Sequence, residues 1–178
     1  MTTTRLEWAA FDSARRLGKS GFEGFRSVSH LRLTSCAEVP VARGVYLVVR
    51  DTDQPPEFLP RSVGGWFRRQ DPTVALDELT SRWVAGARVL YLGRACGPGV
   101  RSLLQQRVKR CIRFGQGKAV GHRGGRLIWQ LRDHLALRFA WKPTPDEDPA
   151  PFETGLQAAF VAQYGRLPFA NLRQEDGE

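Results

Sequence analysis

The apolar positions of this chain fall into runs of two kinds. ARGVYLVVR (42–50) and ARVLYL (87–92) are dense in β-branched and aliphatic residues over strand-like lengths, and both predict buried strands. LALRFAWKP (135–143) alternates apolar with other residues and predicts a third strand. In VRSLLQQRVKRCIRFG, residues Val100, Leu103, Leu104, Val108, Cys111 and Ile112 recur at helical spacing, which predicts an amphipathic helix ended by Gly115. FETGLQAAFVAQY (152–164) predicts a last helix, entered from the turn-forming acidic linker PTPDEDPAP. A short helix is expected over 71–83, where Pro72 stands just inside a candidate start, behind the proline-rich loop DTDQPPEFLPRSVGG. GFEGFRSVSHLRL (21–33) has apolar anchors but no clean period, so it predicts an irregular layer. The order of elements predicts an α+β fold, a small sheet covered by helices.

Composition narrows this to one soluble domain: 178 residues, with 42% hydrophobic and 25% charged. The N-terminal run has no apolar core of a signal peptide, and no stretch approaches membrane-spanning length, so a cytoplasmic protein is expected without a membrane partner. Three cysteines, Cys36, Cys96 and Cys111, lack metal-ligand spacing and predict thiols in a reducing compartment. Charge changes the picture more. Residues 91–142 hold twelve Lys/Arg against one acid, Asp133, within a chain of net charge +9. Charge so concentrated points to a polyanionic partner, above all nucleic acid.

Some residues do not fit a packing role. At roughly 100° per residue, Arg107 falls near the middle of the apolar stripe of its helix, and Arg101 toward its edge. An arginine aimed inward needs an anionic partner, which a structural ion pair would also provide. Glu153 is read in the first turn of the last helix, where the dipole alone favours a carboxylate. His122 lies among glycines and arginines in AVGHRGGR, a loop that could contact phosphate or serve only as a connection.

Gly44-Val45-Tyr46 on the first strand and Tyr91-Leu92-Gly93 on the second resemble the paired signatures of the GIY-YIG nuclease family. LLQQRV, with Leu104, Arg107 and Val108, resembles that family's arginine-bearing helix. PFETGLQAAFVAQYGRLPFAN matches its later pattern with Glu153, Tyr164, Pro168 and Asn171. The resemblance spans residues 43–173 and implies a three-stranded antiparallel sheet flanked by helices. It divides the chain into an N-terminal extension (1–40), a nuclease-like domain (41–173) and a short disordered tail (174–178). Tyr46 and Tyr91 are 45 residues apart, farther than the family's usual spacing, so 51–86 reads as an insertion. In many relatives the arginine stands eight residues beyond the second signature's glycine, which here is Arg101. The leucine context favours Arg107, and Arg101 is kept as the alternative.

The resemblance implies a metal-dependent endonuclease acting on DNA. Glu153 would bind one divalent ion, Mg²⁺ or Mn²⁺, and Arg107 would face the phosphate. Tyr46 would be the general base with Tyr91 beside it, able to exchange roles, and Gly44, Gly93, His122 and Asn171 would support them. A tyrosine base requires a pKa lowered from about 10 by cation and metal. Arg94, Lys109, Arg110, Arg113, Lys118, Arg123 and Arg126 would track the nucleic-acid backbone. Trp129 and Trp141 are expected in the core rather than stacked on bases. A catalytically inactive nucleic-acid-binding module of the same fold is the alternative.

Overall fold

A computed structural model describes residues 11–97, 103–122 and 124–172. Its centre is strand β2 (Gly44–Val49), every residue of which is buried. A strand covered on both faces has no polar side to show, which is why GVYLVV is apolar throughout instead of alternating. Strand β1 (Glu23–Ser27), β3 (Val89–Ala95) and β4 (Arg138–Pro143) complete an antiparallel sheet in the order β1-β4-β2-β3. The α+β class is therefore observed, with four strands where three were expected. The additional strand comes from the N-terminal segment. Its hydrophobic period is broken by a bulge between Glu23 and Arg26, where Gly24 and Phe25 take positive φ, so an edge strand read as irregular.

Each face of the sheet carries its own apolar layer. On one, Val45, Leu47, Val49, Leu92 and Ala140 meet Leu156 and Phe160 of helix α5 (Pro149–Tyr164). Helix α1 (Ala14–Lys19) closes that layer with Leu17, beside Phe11. On the other, Tyr46, Val48, Leu90, Phe139 and Trp141 meet Val108, Cys111 and Ile112 of helix α4 (Leu104–Gly115), Leu31 of helix α2 (Val28–Leu33), and Trp129. Trp129 and Trp141 are core residues, at 0% and 3% exposure. Cys36 and Cys111 are buried free thiols, and burial pushes both thiol pKa values up. Among the described residues no helix is long and apolar enough to cross a membrane.

The insertion packs on the α4 face. Its helix α3 (Leu76–Arg82) buries Leu79, and Phe58, Trp83 and Phe169 form an aromatic cluster with centroids 5.2–6.2 Å apart. The buried Gln130 holds it: Nε2 donates to Leu59 O (3.0 Å) and Val74 O (2.8 Å), while Oε1 accepts from Val74 N (2.9 Å). Arg50 donates to Asp133 (2.7 Å) and to Gln54 O (2.6 Å), fixing the loop's entry.

One further expectation is corrected. Helix α5 begins at Pro149, capped by Asp148 (Oδ1 accepting from Ala150 N, 3.0 Å), so Glu153 lies in its second turn. Proline suits the first turn of a helix, so part of the supposed linker is helical. Helix α4 also packs against α2, and its Gln105 donates to Cys36 O and Ala37 O just beyond α2 (3.4 Å each). His30 contacts Glu38, and His134 contacts Leu131 O.

Edge strand β3 is closed by the segment after α5. Ala170 N donates to Leu90 O (2.8 Å), and the Asn171 amide both donates to Leu92 O and accepts from Leu92 N (2.9 Å each). Asn171→Ala leaves a buried N–H and C=O unmatched, and should cost about 2–4 kcal/mol in urea unfolding. Asn171→Asp should do no better, because a carboxylate cannot donate to Leu92 O.

Candidate functional site

The site begins as a register. In the β2–β3 pair Gly44 stands opposite Ala95, Tyr46 opposite Gly93, and Val48 opposite Tyr91. Tyr46 and Tyr91 are thus diagonal neighbours, a spacing within reach of aromatic side chains, and their ring centroids are 5.9 Å apart. Gly93 makes this possible, because a Cβ there would lie 2.7 Å from Tyr46 Cζ and 2.8 Å from a Tyr91 ring carbon. The pairing shifts at Val48/Val49, leaving Leu90 as an extra residue between Val89 and Tyr91. This bulge lets Leu90 and Tyr91 share the α4 face while Val89 and Leu92 occupy the other.

Behind Tyr46 the ring of Phe139 stacks at 6.4 Å, and Tyr46 is 3% exposed. Tyr91 is only half-buried. The glycine pair of GHRGGR covers it: a Cβ on Gly124 would sit 2.5 Å from the Tyr91 hydroxyl, and one on Gly125 would reach its ring at 3.4 Å. Those two glycines make room for a tyrosine, so the loop's glycine content by itself is no sign of a phosphate cradle.

Arg107, from α4, is half-buried, and its Nε has no hydrogen-bond partner. Its charge acts on Tyr46, Tyr91, Glu153 and His122 alike. Glu153 approaches from α5, on the opposite face of the sheet, and its Oε2 accepts from Arg94 Nη1 at 2.8 Å. Its side chain is 15% exposed against 42% for Arg94. Tyr46, Tyr91 and Arg107 thus share the α4 face, and Glu153 on the other face is near enough for its charge to act on Tyr91 and for that of Arg107 to act on it.

Burial governs the titration of the group. It pushes Tyr46 well above the ordinary phenol value, with Tyr91 and Cys111 adding and Arg107 opposing. Tyr91 is pushed up to about 12 by burial, Cys111 and Glu153, against the Tyr46 hydroxyl and Arg107. This is the opposite direction from the one a tyrosine base needs. Burial also raises Glu153, although Arg94 and Arg107 pull it down. His122 is driven down to about 3 by burial and by Arg107 and Arg110, so it is a neutral imidazole.

No family model, curated protein or solved structure matches the chain. What the site can hold is therefore judged from its own donors. Among the described residues no group of three or more His, Cys, Asp or Glu side chains could hold a metal ion. Glu153 is a single carboxylate, which suits Mg²⁺ only where substrate and water provide the other oxygens. Arg94 would have to release it first.

The remaining sequence-predicted residues are scattered. Gly44 packs against β4, where a Cβ would lie 2.3 Å from Lys142 O. Asn171 touches neither tyrosine but grips Leu92, the residue between Tyr91 and Gly93. Arg113 and Lys118 are exposed, whereas Lys109, Arg110 and Arg126 are half-buried. Arg101 and Arg123 lie outside the described residues. The role of Arg94 as Glu153's partner was missed, because the two are 59 residues apart and no sequence pattern joins them.

Gly93→Ala should separate the tyrosines and destabilise the fold by about 1–3 kcal/mol, the usual cost of overpacking, read by thermal unfolding and by the near-ultraviolet tyrosine signal. His122 gives a pH prediction. Its folded pKa lies below the ordinary 6.5, so between about pH 6.5 and 3 the unfolded chain binds the extra proton and stability falls as pH falls. The expected slope is about 1 kcal/mol per pH unit, and His122→Gln should remove it from the stability-versus-pH curve.

Proposed function

We propose that the chain is a metal-dependent endonuclease that hydrolyses phosphodiester bonds, foremost in DNA, on a fold of the GIY-YIG type. The observation that carries this reading is the pairing of Tyr46 and Tyr91 beside Arg107, with Glu153 near enough to act on Tyr91 and to feel Arg107. Two supporting features are the central position of β2 between β3 and β4, and the exposed Arg113 and Lys118 at the end of α4 and just beyond it.

Hydrolysis needs a positioned water, neutralisation of the phosphoryl oxygens and help for the leaving oxygen. Arg107 offers an unpartnered guanidinium nitrogen to the phosphoryl group, where its planar fork binds two oxygens at once. Tyr91, the more accessible phenol, orients the attacking water and accepts its proton in the phenolate form. Tyr46, its ring 5.9 Å from that of Tyr91, holds it in place. Arg94, once released from Glu153, is free to follow the phosphate, and Glu153 would then hold a divalent Mg²⁺ or Mn²⁺, which would supply the positive charge that the developing transition state needs. Buried free thiols at Cys36 and Cys111 fit a cytoplasmic setting.

A second reading is a nucleic-acid-binding module that does not cut. One observation favours it: Glu153 is already neutralised by Arg94, while both phenols are held protonated.

Nicking of supercoiled plasmid separates the two. The wild type should nick with Mg²⁺ or Mn²⁺ and stop with EDTA, and Glu153→Gln, Arg107→Ala and Tyr91→Phe should each lose about 10²–10³-fold. Equal nicking by all four proteins would rule out this site, whereas salt-sensitive DNA binding without nicking would establish the binding module. Because burial raises the phenols, only a small fraction is phenolate at neutral pH. The nicking rate should therefore climb about tenfold per pH unit from pH 7 to 9. A flat profile would exclude a tyrosine base.

A further inference from the structure

Between the insertion and the loop after α4 lies a cavity of about 300 Å³. Its walls are Phe67 and Pro72 from the insertion and Phe114 at the end of α4. Five polar side chains join them: Arg68, Gln70, Asp71, His122 and Arg126. His122 sits 6.0 Å from the Phe114 ring, and its Nε2 is buried without a hydrogen-bond partner. A buried polar atom left unmatched costs stability, so it marks a place where a ligand group would fit.

The insertion builds the other wall with an unusual turn. Phe67 and Gln70 face each other across it, Gln70 N donating to Phe67 O at 3.0 Å. The two residues between them, Arg68 and Arg69, have φ of 49° and 62°. Turns of this hand favour glycine and asparagine, so two arginines here stand against a local preference. Arg68 lies over the Phe67 ring at 5.3 Å, and Trp66 next to it is 57% exposed. The turn thus presents aromatic and cationic groups together at the cavity's mouth.

We infer that this cavity receives a single nucleobase turned out of a DNA strand, stacked on Phe67 and read by Asp71 and His122. The inference rests on the nucleic-acid reading above. Planar aromatic walls suit the face of a base, which stacks whatever its sequence. Asp71, one of whose oxygens already accepts from Thr73 N at 2.8 Å, can accept with the other from a base's exocyclic amino group, which a bare phosphate lacks. A purely aliphatic ligand would leave His122 Nε2 unanswered. Position agrees with chemistry, because one loop serves both places: Gly124 and Gly125 abut Tyr91, while Gly121 and His122 line the cavity. A base seated there would bring its strand to the loop that covers Tyr91. Taking a base out of the stack costs least where it is mispaired.

The test measures affinity by fluorescence anisotropy, in EDTA so that no strand is cut. Three duplexes are compared: fully paired, carrying one mismatch, and carrying an abasic residue in place of the mismatched base. The wild type should prefer the mismatch over the paired duplex by roughly 10- to 100-fold, the range expected for one stacked base, and the abasic duplex should lose that gain. Phe67→Ala should bind the mismatch only as well as the paired duplex, and Phe67→Trp should keep the preference. Both variants should match the wild type in thermal unfolding and in affinity for paired DNA. Absence of a mismatch preference in the wild type, its persistence in Phe67→Ala, or its persistence on the abasic duplex would each overturn the inference while leaving DNA binding intact. If the wild type binds no duplex, the nucleic-acid reading falls and this one with it.

Discussion

Two bulky phenols can lie side by side on adjacent strands only if the backbone between them is bare, and at Gly93 it is. Tyr46 leans across that gap toward Tyr91, and the rest of the site depends on the gap being kept. The bulge at Leu90 turns Tyr91 to the correct face. The Asn171 amide fixes the strand on its open side at Leu92, so Tyr91 and Gly93 flank a clamped residue. Gly124 and Gly125 then close over the ring from the loop. None of these parts is chemically active. Together they hold one hydroxyl in one place.

The electrostatics of the site are a contest between burial and Arg107. Burial favours neutral phenols and a neutral imidazole, and it has the upper hand at Tyr46, Tyr91 and His122. Arg107 pulls the phenols and Glu153 toward ionisation while opposing a charge on His122. Glu153 keeps its own counter-ion, Arg94, on the far face of the sheet. The charges are thus divided between the two faces, and an anionic ligand at the strand ends would be the group that draws Arg94 and Arg107 together.

How much of this the sequence discloses depends on how local each cause is. Strand β2 is legible because double burial demands an unbroken apolar run. Strand β1 is not, because its bulge erases the alternation that a reader looks for. The start of α5 is hidden by prolines that look like turn formers yet sit in a first turn capped by Asp148. Arg107 stands out on a helical wheel by being in the wrong place, but the wheel cannot say what it faces. The glycines of GHRGGR suggest an anion site when read alone, and only the fold reveals the tyrosine ring beneath them. Likewise the contacts of Gln130 with Leu59 and Val74 join segments that no local pattern relates.

That last residue bears on how such a protein can diversify. The insertion leaves the sheet after Val49 and returns at Val89, its paired neighbour, so the two ends of the excursion are already together. Loops anchored this way tolerate changes of length at little entropic cost. Gln130 adds a condition, because its amide supplies both a donor and an acceptor to the insertion's backbone from outside it. An unrelated segment grafted between Val49 and Val89 would leave that buried amide without partners unless it offered the same two carbonyls and one N–H. The scaffold therefore accepts foreign inserts selectively, by a three-point backbone match at Gln130 and not by their sequence.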